Sequence, residues 1–135
     1  MPKYAATDHT ITINGGTVST FVQSVDLSLS ADELDTTGFG GEWRTRTTGL
    51  KSGSITLNFY QAFGAAEIDA TLWPLFGSQA TVVVKPTGTA TSATNPAYTA
   101  LCTVTQYQPF ASSVGDIATL SVTWPTTGTV SRGTS

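Results

Sequence analysis

The sequence predicts a mainly β domain: a small antiparallel β-sandwich or half-open barrel with one short flanking α-helix, a long loop and two terminal arms. Several segments alternate apolar and polar residues over short runs, which is the pattern of antiparallel strands with one buried face. Only residues 65–72 place apolar residues at helical spacing. A chain of 135 residues has the length of a single domain, so residues 1–135 are treated as one unit.

The amino-terminal half contains three alternating segments. Residues 10–13 and 17–21 are predicted to pair through a tight turn at Asn14-Gly15-Gly16, because Asn and Gly tolerate positive φ. Residues 22–30 place Val and Leu on one face and mainly Ser on the other, which predicts a strand with one wet side. Residues 51–59 form the clearest strand, with Ile, Leu and Phe at alternate positions.

The carboxy-terminal half begins with the predicted helix over residues 65–72. A strand rich in β-branched residues is predicted at 81–85. Residues 87–95 form a loop rich in Thr and Ser that is expected to contribute nothing to the core. Residues 98–110 and 117–124 alternate and are predicted to form a hairpin with each other. Three residues after the helix are expected to close one open end of the core: Trp73, Leu75 and Phe76.

Residues 31–50 interrupt this regularity and are predicted to be a long loop. Long irregular loops are uncommon in compact domains and are usually functional or disordered. This one contains Phe39, Trp43 and Leu50, which a solvated linker is not expected to keep, and aromatic and Arg side chains are enriched in interface cores.

The same segment changes its charge from acidic to basic along its length. Five of the nine acidic residues lie in it or just before it, followed by two Arg and a Lys, so it can meet a second copy head to tail. Charge alone is equally compatible with a solvated loop. With the aromatic residues included, we predict an assembly interface formed by Asp32, Glu33, Asp35, Phe39, Glu42, Trp43, Arg44, Arg46, Leu50 and Lys51.

The composition argues against several other functions. Charged residues make up 11% of the chain, against about 25% in an average domain. The net charge of −3 and the six scattered basic residues do not favour binding to nucleic acid, which requires clustered Lys and Arg. The single Cys102 cannot form an internal disulfide and is predicted to be a buried apolar side chain. No apolar run is long enough to span a membrane.

No arrangement typical of catalysis or cofactor binding is found. His9 stands alone near the start of the chain, so neither a metal site nor a nucleophile activated by a histidine base is predicted. The acidic residues at 32–35 lack the ligand spacing of a dedicated calcium loop. The Gly-rich residues 38–41 are not followed by a helix carrying a Lys, as a phosphate-binding loop requires. We therefore expect a protein that is not an enzyme and binds no cofactor.

Several of these residues resemble a known family. Residues 35–41 read Asp-Thr-Thr-Gly-Phe-Gly-Gly, then come Trp43-Arg44, the segment 48–57 that opens the clearest strand, and the helix that ends at Leu72-Trp73. In this order, and with the predicted hairpin near the carboxy terminus, they look like the major tail tube protein of long-tailed, siphovirus-type bacteriophages over roughly residues 22–130.

The resemblance implies a small β-sandwich that self-assembles into hexameric rings, stacked as a tail tube through which DNA passes without specific binding. It implies that residues 31–50 and two arms, 1–9 and 126–135, make the contacts between copies. It also implies tail terminator, tape measure and tail tip proteins as partners, no membrane contact, and a location in the virion after assembly in the host bacterial cytoplasm. Two alternatives stay open: a capsid decoration protein, and a carbohydrate-binding module that uses Trp43, Trp73 or Trp124 as a sugar platform.

Overall fold

The computed structural model describes residues 9–65 and 67–134. Within these ranges the chain forms eight strands and one short α-helix, with single turns of 3-10 helix at Ser19–Phe21 and Trp73–Leu75. The strands and the helix have the following bounds: β1 Thr10–Ile13, β2 Gly16–Thr17, β3 Val22–Asp35, β4 Arg46–Tyr60, α1 Ile68–Leu72, β5 Gln79–Lys85, β6 Ala97–Thr103, β7 Thr119–Pro125 and β8 Ser131–Gly133.

The strands form two antiparallel sheets. The larger sheet has the order β2-β1-β5-β6-β8, and the smaller one has the order β3-β4-β7. Their inner faces pack together into one hydrophobic core. The predicted mainly β sandwich with a short flanking helix is therefore confirmed, and the described strands do not close into a barrel.

The core is built by alternation along each strand, as an antiparallel sandwich requires. Strands β4 and β7 contribute the largest side chains, and Trp124 is completely buried while its Nε1 donates a hydrogen bond to the Gln106 carbonyl at 3.0 Å. Helix α1 adds Ile68 and Leu72. The other fully or almost fully buried apolar residues are Ile11, Ile13, Val18, Ile55, Leu57, Phe59, Ala80, Val82, Ala100, Cys102, Val104, Leu120 and Val122.

The predicted first hairpin is confirmed, although its second strand is short. Asn14 and Gly15 both have positive φ, 51° and 85°, and Ile13 pairs with Gly16 across this two-residue turn. The return strand ends at Thr17. A 3-10 turn follows, in which the Ser19 hydroxyl accepts a hydrogen bond from the Ile11 backbone N–H at 2.9 Å.

The predicted hairpin between residues 98–110 and 117–124 is wrong. Strand β6 ends at Thr103 and pairs with β5 and β8, whereas β7 pairs with β4 in the other sheet. Residues 104–118 cross from one sheet to the other. Alternation shows which side chains face the core, but it does not show which neighbouring strand supplies the backbone hydrogen bonds. The inner faces of both sheets line the same core, so strands of different sheets show the same alternation.

The structure describes most of the predicted carboxy-terminal arm but only His9 of the predicted amino-terminal arm. Residues 1–8 and 135 lie outside the described residues, and His9 directly precedes β1. In the carboxy-terminal segment 126–135, Ser131–Gly133 is not a free arm, because it forms β8 and pairs with β6.

The expectation that Trp73 and Phe76 close the core is also wrong. Trp73 remains 64% exposed and Phe76 51% exposed, and their rings stack on each other with centroids 6.4 Å apart. Leu75 alone packs against the core from this group. The chain leaves α1 at Leu72 and continues as a 3-10 turn that begins at Trp73 and contains Pro74, which cannot extend an α-helix.

The Thr-rich loop between β5 and β6 is organised by one buried polar residue, which no sequence pattern indicated. Asn95 is 5% exposed. Its Oδ1 accepts from the Thr87 backbone N–H at 3.1 Å, and its Nδ2 donates to the carbonyls of Thr89 and Ala90 at 2.9 and 3.2 Å. One side chain thus satisfies backbone groups across the whole loop.

We expect Asn95→Ala to lower the free energy of unfolding by about 1–3 kcal/mol, because it removes the three hydrogen bonds that this buried side chain makes with the loop backbone. Chemical denaturation followed by tryptophan fluorescence measures the change. Thr94→Ala, at an exposed position in the same loop, is the control and should change stability by less than about 0.5 kcal/mol. Equal stability of the two variants would contradict the role of Asn95.

Candidate assembly site

The segment predicted as the assembly loop is mainly a long β-hairpin. Strands β3 and β4 remain paired as far as Asp35 and Arg46, so the loop is limited to residues 36–45 and the prediction of a loop over residues 31–50 is wrong for most of its length. The outer half of the hairpin extends past the sandwich, where neither face is covered. Its side chains therefore need no apolar alternation, and backbone hydrogen bonds alone define the strands.

The pairing of the hairpin is interrupted near its middle. A register shift between Ala31 and Glu33 marks a β-bulge. Nearby, Gly53 allows a close approach of the two strands: an added Cβ would lie 2.7 Å from Leu29 Cδ2 and 3.1 Å from the Ser28 carbonyl oxygen. The Gly53 carbonyl accepts hydrogen bonds from the backbone N–H and the hydroxyl of Thr126, at 2.9 and 3.1 Å, which tie the hairpin to the chain after β7.

Hydrogen bonds organise the end of the hairpin. The Thr36 backbone N–H donates to the Thr45 carbonyl at 2.8 Å, and the Thr45 N–H donates to the Thr37 hydroxyl at 2.9 Å. Asp35 accepts from the Thr37 backbone N–H at 2.8 Å. Hydrogen bonds from the Thr37 side chain and backbone N–H, and to a smaller extent from Arg44, lower the pKa of Asp35 below its ordinary value.

Two ion pairs link the hairpin's own strands. Arg44 contacts Asp35 at 3.1 Å, and Arg46 contacts Glu33. The two arginines are thus neutralised within one copy, and the simple scheme in which an acidic half meets a basic half of another copy does not apply to them. Of the predicted charged residues, Asp32, Glu42 and Lys51 form no ion pair with any residue in the described ranges.

Large apolar side chains project from the hairpin into solvent. Phe39 is fully exposed, Trp43 is 85% exposed and Leu50 is 82% exposed. Isolated exposed residues of this size are unremarkable, but two aromatic rings on a ten-residue loop held in place by hydrogen bonds form a defined apolar tip. None of these three side chains belongs to the subunit's own core.

A groove at the base of the projecting part was not predicted. It has a volume of about 640 Å³. Leu29 and Ala31 of β3 line one side, Lys51 of β4 lines the floor, and the segment after β7 closes the other side with Thr129 and Val130. The sequence contained one indication of this groove. The apolar alternation Val25, Leu27, Leu29 continues one position beyond Leu27, the last of the three that packs against the core. The full lining is Leu29, Ser30, Ala31, Lys51, Ser52, Thr126, Gly128, Thr129 and Val130.

The outer face of the smaller sheet is hydroxyl-rich. The side chains that point away from the core on β3, β4 and β7 bond to each other across the strands: the Asn58 amide donates to Ser24, Thr56 bonds to Thr123 at 3.2 Å and Ser30 bonds to Ser52 at 3.2 Å. Asp26 is the one charged residue among the outward positions of residues 24–30, 52–60 and 119–125.

No group of three or more His, Cys, Asp or Glu side chains within residues 9–65 and 67–134 could hold a metal ion. Burial raises the pKa of the Cys102 thiol to about 11. No helix in the described part of the chain has the length and hydropathy needed to cross a membrane.

Comparison with known proteins identifies the fold. No protein-family model and no curated protein matches the chain. Its fold is similar to that of chains in two solved structures of gene transfer agent particles. It matches a chain from the virion of a native gene transfer agent particle with a TM-score of 0.76 and 16% identity, over 96% of this chain and 98% of that one. It also matches a chain from the tail of an empty gene transfer agent particle with C6 symmetry, with a TM-score of 0.65 and 16% identity, over 82% of this chain and 81% of that one.

We expect Gly53→Ala to destabilise the protein by about 1–3 kcal/mol, because the new methyl group overlaps Leu29 and crowds the Ser28 carbonyl. Thermal unfolding measures the effect. Gly38→Ala is the control, since an added Cβ at Gly38 meets no atom within 4 Å. Unfolding of Gly53→Ala at the wild-type temperature would show that the two strands separate there without cost.

The environment of Tyr107 leads to the prediction that the protein loses stability at alkaline pH. Desolvation, and then its hydrogen bond to Asp69 at 2.6 Å, raise the pKa of Tyr107 from 10.0 to about 12. A group whose pKa is raised in the folded state stabilises fully below its unfolded pKa, and this contribution is lost as pH rises through the folded value. We therefore expect the free energy of unfolding to fall between about pH 10 and 12.

Denaturation at several pH values, with Tyr107→Phe as the control, tests this expectation. The variant should lose most of the decline in stability across that window. Ultraviolet titration of the native protein should show one tyrosine that ionises late, and ionisation of Tyr107 near pH 10 would contradict the assignment.

Proposed function

We propose that this chain is the structural subunit of a phage-like tail tube, in which six copies form a ring and the rings stack into a conduit for DNA. The observation that carries the proposal is the fold, which matches over nearly the whole chain a component of a gene transfer agent virion and, over most of it, a component of a C6-symmetric tail. The role proposed is structural and not enzymatic.

The hairpin supports stacking. It projects from one end of the sandwich and carries exposed Phe39 and Trp43 at its tip. Aromatic side chains on an ordered projection provide contact area at low cost in conformational entropy, which is why such residues dominate the energetics of many interfaces. A contact between a tip and a different part of the next copy is heterologous, so it leaves a free tip at one end and continues as a filament.

The smaller sheet supports ring formation. Strands β3 and β7 are its two edges, and no described strand pairs with the outer side of either. Both run antiparallel to β4 and are therefore parallel to each other. A rotation about an axis roughly along the strands would bring β7 of one copy beside β3 of the next in parallel orientation. Edges of this kind are protected in a monomer or are paired on assembly.

The outer face of the smaller sheet suits the wall of the bore. Its hydroxyl and amide groups bond to each other, and Asp26 gives one negative charge per copy. Over residues 24–30, 52–60 and 119–125 this face presents no Lys or Arg that could release counterions from DNA phosphates, so DNA would slide past this part of it without binding. On this proposal the larger sheet lies on the outside of the tube.

The remaining features of the proposal follow from this assignment. The principal partner is the chain itself, and a tail terminator, a tape measure protein and a tail tip protein would contact the ends and the interior of the tube. The protein would be located in the virion after assembly in the host bacterial cytoplasm. A sugar platform on Trp124 is ruled out by its complete burial, and Trp73 is stacked against Phe76.

Electron microscopy of the concentrated, purified protein tests the proposal. Rings or hollow tubes with six-fold symmetry are expected. Subunits that bind only to preformed capsids would instead indicate a decoration protein, and a monomer retained on a polysaccharide column would indicate a carbohydrate-binding module. Either result would overturn the proposed function.

Trp43→Ala should leave the subunit's thermal unfolding unchanged and weaken polymerisation by about tenfold or more, since the side chain is 85% exposed in the single copy. Sedimentation velocity measures polymerisation, and circular dichroism measures unfolding. Trp73→Ala, at another exposed Trp, is the matched control and should polymerise normally. A loss of cooperative unfolding in Trp43→Ala would mean that Trp43 belongs to the subunit's own core.

A further inference from the structure

The groove beside Gly53 is an apolar surface with one cationic side chain and no occupant from the described part of its own chain. It continues the core face of the smaller sheet beyond the point where the larger sheet covers it. Leu29 is left 55% exposed there, and Lys51 forms no ion pair with a described residue. Its volume of about 640 Å³ lies within the range of about 300–1,000 Å³ that is usual for ligand sites.

The tip of the hairpin has the complementary features. Phe39 and Trp43 are exposed aromatics, and Glu42, the residue before Trp43, forms no ion pair with any described residue. The other acidic residues near the tip, Glu33 and Asp35, are already paired with arginines. Glu42 is therefore the carboxylate that the tip itself can offer to a cation on another surface.

The tip cannot reach the groove of its own copy. Lys51 and the tip lie on the same hairpin, and the five steps from Arg46 to Lys51 span about 17 Å of extended strand. The two strands are paired along this distance, which prevents the tip from folding back. An occupant with the chemistry of the tip must come from a second copy.

We propose that the hairpin tip of one copy docks in the groove of the next, with Phe39 and Trp43 against Leu29 and Val130, and Glu42 paired with Lys51. This inference rests on the proposed function and specifies which surfaces join successive copies along the tube. Pairing Glu42 with Lys51 selects the register, because a tip placed elsewhere would leave both charges without a partner.

A charge exchange tests the pairing. Glu42→Lys and Lys51→Glu should each raise the critical concentration for polymerisation by about tenfold or more, and the double variant should recover most of the loss because the pair is restored with opposite polarity. Asp116→Lys and Lys85→Glu make the same charge changes away from the tip and the groove and should polymerise normally. Failure of the double variant to recover, while both single variants are impaired, would overturn the pairing.

Cross-linking tests the contact directly and does not depend on the formation of tubes. One population carries Gly41→Cys at the tip and the other carries Thr129→Cys in the groove, and the native Cys102 is buried. After mixing and mild oxidation, a disulfide between the two populations is expected. Dimers of the Gly41→Cys population alone would show contact from tip to tip, and a lack of mixed dimers would place the tip elsewhere; both results overturn the inference.

The two levels of the proposal can fail separately. Wild-type protein that forms hexagonal tubes without the mixed disulfide would retain the proposed function and exclude this contact. Mixed disulfides in linear chains without rings would retain the contact and exclude the tube. Normal polymerisation of both single charge variants would show that the tubes do not depend on pairing of Glu42 with Lys51, and would overturn the inference.

Discussion

The continuous ladder between β3 and β4 is the constraint on which the other features depend. Its inner half supplies Ile55, Leu57 and Phe59 to the core, and its outer half carries the tip beyond the sandwich on the same two strands. The core therefore fixes the direction in which the tip projects. An irregular loop with the same residues would have to lose much more conformational entropy when a partner ordered it.

The low content of charged residues and the many Thr and Ser side chains suit this arrangement. Few charged residues are present, and the two arginines near the tip are paired within the hairpin. Thr and Ser side chains take their place on the outer sheet face and in the loop organised by Asn95, where they bond to each other or to the backbone. Such surfaces can be buried between copies without the large desolvation cost of isolated ions.

Some elements of the fold could be predicted from the sequence, and others could not. The turn at Asn14-Gly15 and the alternation over residues 51–59 were sufficient to predict local structure, because backbone conformation and core-facing side chains are encoded there within a few residues. The hairpin at 31–50 was missed because its side chains are exposed on both faces and leave no periodic signal. The pairing of β6 and β7 was misassigned because two strands that face one core need not share a sheet.

The sequence by itself determined the mainly β class and the core side chains of the central strands, since each depends on residue type and local spacing, and from the same information it predicted the ten residues of the candidate interface. Only the tertiary structure decided that these ten residues lie on one hairpin, that two of the ion pairs are internal to it, and that Leu29, Lys51 and Val130 form a groove. Such relationships join residues on different strands. They depend on which strands exchange backbone hydrogen bonds, and every strand offers the same donors and acceptors whatever its side chains.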